Sequence, residues 1–119
     1  MPLFAKRDNT YIGALQCGAG RDAYLEFELA EGVDITPVLY IKERLKYALS
    51  DGVDPEQIRN AALLGAEKAN EKFGTNYHFK RIGYVPNDST HYYLHARVAY
   101  LVLQRIHENG AFKESNAKG

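Results

Sequence analysis

Between Asp54 and Gly74 the chain reads DPEQIRNAALLGAEKANEKFG, and this stretch restricts the fold more than any other. Asp54 can cap a helix, Pro55 suits a first helical position where no amide donor is needed, and Gln57 stands at capping-box spacing. Gly74 supplies the stop. Inside these limits Ile58, Ala61, Ala62, Gly65, Ala69 and Phe73 recur at helical spacing. Most of that stripe is small, so it buries well only against a neighbour that approaches closely. A helix of this kind needs a second layer.

Three segments offer strands for that layer. AYLEFELA (23–30) alternates, with Leu25, Phe27 and Leu29 on one face and Tyr24, Glu26 and Glu28 on the other. YIGALQC (11–17) precedes it across GAGRD, which predicts a hairpin because glycine supplies the positive φ angles of tight turns. NYHFKRIGYV (76–85) is β-rich and runs into the turn composition PNDS. From Thr36 the period changes: Thr36 as cap, Pro37 at the first position, then Val38, Ile41, Leu45, Ala48 and Leu49 predict a helix over 37–50.

Residues 89–109 satisfy two periods. As a strand, Tyr92, Leu94, Ala96, Val98, Tyr100 and Val102 share a face. As a helix, Tyr92, Ala96, Ala99, Leu103 and Ile106 form a stripe flanked by His95 and Val102. Asp88, Ser89 or Thr90 as cap, with Arg105 and His107 in the last turn, favours the helix. The expected fold is α+β, a small antiparallel sheet covered by helices in the order ββααβα, or ββααββ if this segment is extended. One domain over residues 1–110 is expected, followed by a polar, disordered tail over 111–119.

The composition excludes several classes of function. Fifteen basic side chains balance fifteen acidic ones, which argues against a nucleic-acid partner or a membrane surface. Lys42, Arg44 and Lys46 spread around their expected helix with Glu43 between them, so they form no basic stripe. One cysteine, Cys17, gives no sign of disulfides, and no apolar run is long enough to span a bilayer. The expected location is cytoplasmic. The acidic face of the second strand (Glu26 and Glu28, followed by Glu31 and Asp34) opposes the basic helix, which suits self-association or a protein partner. A small sheet also leaves edges that a second copy can cover.

The candidate chemistry gathers in residues 78–95. HYYLH (91–95) sets two imidazoles four positions apart, a spacing that can share a metal ion on a helix. It lacks the glutamate of the HExxH pattern, and the expectation is no metal. Without metal, His78, Lys80, Tyr84, Asp88, His91 and His95 are the candidate ligand-binding residues of a strand–turn–helix corner. CGAGRD (17–22) is followed by an alternating strand, not a helix N-terminus, so its glycines predict a turn and no nucleotide. No pattern requires a cofactor. The function expected first is a homo-oligomeric protein-binding or assembly module without catalysis. A small enzyme or ligand-binding protein using the 78–95 cluster is the alternative.

Overall fold

The computed structural model describes residues 2–15, 22–30, 37–41, 52–85 and 90–114. Along the chain these form β1 (Pro2–Arg7), β2 (Thr10–Leu15), β3 (Ala23–Ala30), β4 (Val38–Ile41), α1 (Pro55–Phe73), β5 (His78–Tyr84), α2 (Tyr92–His107) and β6 (Lys113–Glu114). The fold is α+β, but its sheet is mixed and six-stranded, ordered β4-β5-β3-β2-β1-β6. Antiparallel pairs in the middle give way to parallel pairs at both margins, β4 with β5 and β6 with β1. The small, wholly antiparallel sheet in the order ββααβα is therefore corrected.

Two strands account for the difference. In β1, PLFAKR is too short and too charged at its end to stand out by alternation. It is fixed by a two-residue link to β2, with Arg7 opposite Thr10 and Asp8 at φ 54°. Aspartate tolerates that left-handed backbone better than most residues. In β4, Val38–Ile41 were expected to begin a helix and instead pair with Arg81–Tyr84 of β5. β-branched and aromatic side chains suit a pleated surface, and pairing overrides the Thr-Pro start signal there. Residues 42–50 of that expected helix lie outside the described residues, as does most of the glycine-rich link before β3.

β2 and β3 pair as anticipated from their patterns, Gly13 opposite Leu25 and Tyr11 opposite Phe27. Leu25, Phe27, Phe79 and Ile82 turn one face of the sheet toward the helices, with Phe27 and Phe79 stacked at 4.4 Å. α1 lays Ile58, Ala62, Gly65, Ala66 and Ala69 into this core. The Asp54 carboxylate accepts from the Glu56 amide at 3.0 Å, and Gly74 closes the helix at φ 66°.

Residues 92–107 are helical, which removes the extended alternative. The cap is His91, not Thr90, and its side chain makes no capping hydrogen bond. Asp88 and Ser89 lie outside the described residues. The buried positions of α2 are Leu94, His95, Val98, Ala99, Val102 and Leu103, a wider band than the expected stripe. The cause is packing on two sides: Val98 and Val102 seat on β2 at Gly13, while Ala96, Ala99 and Tyr100 meet α1 at Gly65. The helices run the same way, since the Tyr92 hydroxyl accepts from the Asp54 amide at 2.9 Å and Phe73 stacks on His107 at 4.7 Å.

Lys113 and Glu114, from the segment expected as a disordered tail, pair with Ala5 and Lys6 of β1. Just before them Phe112 packs edge-on against Phe4 and Tyr11. No helix of the described residues is long and apolar enough to cross a membrane.

One consequence concerns the start of α1. Asp54 both caps the helix and ties it to Tyr92, so Asp54→Ala removes the side-chain acceptor and leaves the Tyr92 contact to the backbone. A loss of about 1 kcal/mol in a urea-unfolding experiment is expected. An unchanged midpoint would show that water replaces the cap at no cost.

Candidate functional site

The most elaborate polar arrangement among the described residues is on the sheet face opposite α1 and α2. Period-2 alternation places Tyr24, Glu26 and Glu28 there, and the expectation was a solvated acidic face. Glu26 is instead 1% exposed. Its burial follows from topology. β5 intervenes between β3 and β4, so Tyr40, Gly83 and Glu26 form one cross-strand row. A side chain at position 83 would hold the outer two apart: a Cβ there would stand 2.6 Å from both Glu26 Cγ and Tyr40 Cε2. Glycine lets the Tyr40 ring lie across β5, and the Tyr40 hydroxyl donates to Glu26 Oε2. The Tyr24 hydroxyl donates to Oε1 at 2.6 Å, and Arg7 Nη2 donates to Oε2 at 3.2 Å.

A second row extends the cluster. Arg81 pairs with Glu28 at 3.2 Å, and its guanidinium stacks over the Tyr40 ring at 4.5 Å. Glu26 and Glu28 are therefore each paired with an arginine. Burial, the hydrogen bond to Glu26 and the charge of Glu26 all push the ionisation of both tyrosines far above its usual range. Tyr24 and Tyr40 are held as neutral donors with their protons committed to Glu26. The cluster suits the rigid presentation of two tyrosines and two arginines better than proton abstraction by a tyrosinate.

The described residues among those expected to form a pocket lie along β5 and at the start of α2. His78 starts β5, with its Nε2 donating to Asn76 Oδ1 at 3.0 Å. Tyr84 ends the same strand and is buried in the core. Six residues of strand separate these two by about 20 Å. Lys80 is exposed between them, at an irregularity in the pairing of β3 with β5. His91 is exposed at the start of α2, edge-on to Tyr93 at 5.9 Å, whereas His95 is fully buried one turn later. The two imidazoles of HYYLH thus differ in environment, one at the surface and one in the core. Asp88 lies outside the described residues. Among the described residues, no three His, Cys, Asp or Glu side chains group as a metal site would require.

Tyr24, Glu26, Arg7, Tyr40 and Arg81 were not among the expected site residues. Alternation joins only Tyr24 to Glu26. Nothing in the local sequence announces that Arg7 and Tyr40, 19 and 14 positions away, reach the same carboxylate. No protein-family model, curated protein or solved structure matches this chain.

Proposed function

We propose that the protein is a self-associating binding module whose contact surface is the β4 margin of the sheet. One observation carries this reading. Val38 and Ile41 of β4 are 60% and 45% exposed, on a strand that ends the sheet order among the described residues and contains no charged residue. Edge strands usually carry charge, proline or a bulge that discourages pairing; β4 is short and follows Pro37, but its own four residues, VLYI, include none of these.

Beside the edge, Tyr40 and Arg81 are already immobilised by Glu26 and Glu28. Tyrosine and arginine contribute strongly at interfaces, and ordering them in advance lowers the entropy lost on association. The occupant that fits is a second copy, with β4 antiparallel to β4 across a twofold axis. A net charge of zero places no overall repulsion between copies.

Light scattering at micromolar concentration should then report a mass above the 13.4 kDa of one chain. Val38→Lys and Ile41→Lys should return the protein to that mass without loss of helix content. A wild-type monomer, or a dimer indifferent to both lysines, would overturn the proposal.

A further inference from the structure

An open concavity lies at the far end of β3, away from the Glu26 row. This open cleft has a volume of about 740 Å³ and is lined by Lys6, Asn9, Tyr11, Glu28, Leu29, Ala30 and Lys80. That is within the size range of small-molecule sites. Three separate local features bring its polar groups together. Asn9 comes from the β1–β2 turn, beside Asp8 with its positive φ. Lys6 is braced over the Tyr11 ring at 4.7 Å, and Tyr11 is backed by Phe112 at 5.2 Å.

Lys80 comes from a β-bulge. Glu28 pairs with Arg81 and Leu29 with Phe79, so Lys80 is the extra residue between two paired positions. Bulges re-aim side chains, and this one sends Phe79 to the core, Arg81 to Glu28 and Lys80 to the cleft.

The charges then decide the ligand. Arg81 neutralises Glu28, the one acid among the described lining residues. Among the described residues neither Lys6 nor Lys80 has a carboxylate within ion-pair distance, although Lys6 stands opposite Glu114 in the β1–β6 pairing, so two ammonium groups without a direct ion pair line the cleft. Their backbones stand about 15 Å apart, three strand spacings plus a step along β5. Two flexible four-carbon stems can close that distance onto one compact anion from opposite sides. Lysine acts as a point charge and suits the several oxygens of a phosphate. Arginine forks, which serve planar carboxylates and phosphates alike, are absent from the described lining, so the two lysines act as point charges. A phosphate monoester carries between one and two negative charges at neutral pH, a match for two ammonium groups.

We propose that the cleft binds a small organic phosphate monoester. Its head sits between Lys6 and Lys80, Asn9 donates its amide to an oxygen, and the carbon part lies along Leu29 and Ala30.

Titration of the full chain with phenyl phosphate, followed by calorimetry and by amide chemical shifts, tests this assignment. Saturable binding is expected, with the largest shifts at Lys6, Asn9, Tyr11 and Lys80. Lys6→Ala and Lys80→Ala should each weaken it about tenfold, the usual scale for losing one hydrogen bond to a charged group. Lys80→Arg should recover most of the loss, and Leu64→Ala, at an exposed position of α1, should change nothing. Absence of saturation at millimolar phenyl phosphate would overturn the proposal, as would equal binding to the double alanine variant. Equal affinity for inorganic phosphate would also overturn it, because Leu29 and Ala30 would then contribute nothing.

Discussion

Gly65→Ala is expected to destabilise the fold by about 2 kcal/mol, against the direction that helix propensity alone dictates. In an exposed helix interior alanine is better than glycine by about 1 kcal/mol. At position 65 the added Cβ would stand 2.3 Å from the Ala96 carbonyl oxygen, 2.8 Å from Ala99 Cβ and 3.1 Å from the Tyr100 amide. Two of these are backbone atoms of α2, which cannot rotate aside as a side chain would. Relief requires α1 and α2 to separate, and α2 is also held against the sheet through Val98 and Val102. Overpacking of this kind costs about 1–3 kcal/mol, and backbone contacts place it at the upper end, exceeding the propensity gain. Gly65→Leu should cost more. The midpoint of urea unfolding reads both variants, and a stabilised Gly65→Ala would show that the helices are farther apart than described.

That packing was legible in the sequence because it is local. The small side chains at 61, 62, 65 and 69 repeat along one helix, and a stripe of small residues has few uses other than close approach. The caps at Asp54 and Gly74 and the alternation of β3 were legible for the same reason. Non-local pairing produced the corrections. Val38–Ile41 follow a plausible helix start and are claimed by β5, from which they are separated by the whole of α1. β1 depends on partners on both sides, β2 and the distant Lys113–Glu114. His95 shared an apparent polar edge with His91, yet α2 is packed on two sides and only His91 remains at the surface. Of the candidate site, His78 and Tyr84 lie at opposite ends of β5, and His91 is exposed where His95 is buried. The Glu26 cluster is dispersed in sequence and close in space.

Replacing Glu26 should have the largest effect of any polar substitution on the sheet face opposite α1 and α2. Its carboxylate accepts from Tyr24, Tyr40 and Arg7, and it is almost wholly withdrawn from water. Glu26→Ala leaves two hydroxyls and a guanidinium facing a void. Removing one partner of a buried pair costs about 3–5 kcal/mol. Arg7 is 27% exposed and can recover water, so about 3 kcal/mol is the expected loss. Glu26→Gln keeps the shape but turns an amide donor toward donors, and should cost about 1–3 kcal/mol.

A pH profile separates this account from simple cavity formation. In the folded state Tyr24 and Tyr40 ionise far above the usual value, chiefly through burial and then through the hydrogen bond to Glu26 and its charge. In the unfolded chain they ionise near pH 10. A folded-state value raised above the unfolded one means that the stabilisation is fully present below about pH 10 and declines as pH rises beyond it. Wild-type stability should therefore fall on the alkaline side of pH 10, and the double variant Tyr24→Phe/Tyr40→Phe should fall less steeply. Glu26→Gln should flatten the same limb by lowering both tyrosines toward their ordinary range, although its stability at neutral pH is reduced. Parallel alkaline limbs in wild type, Glu26→Gln and the double phenylalanine variant would show that Glu26 does not hold the tyrosine protons.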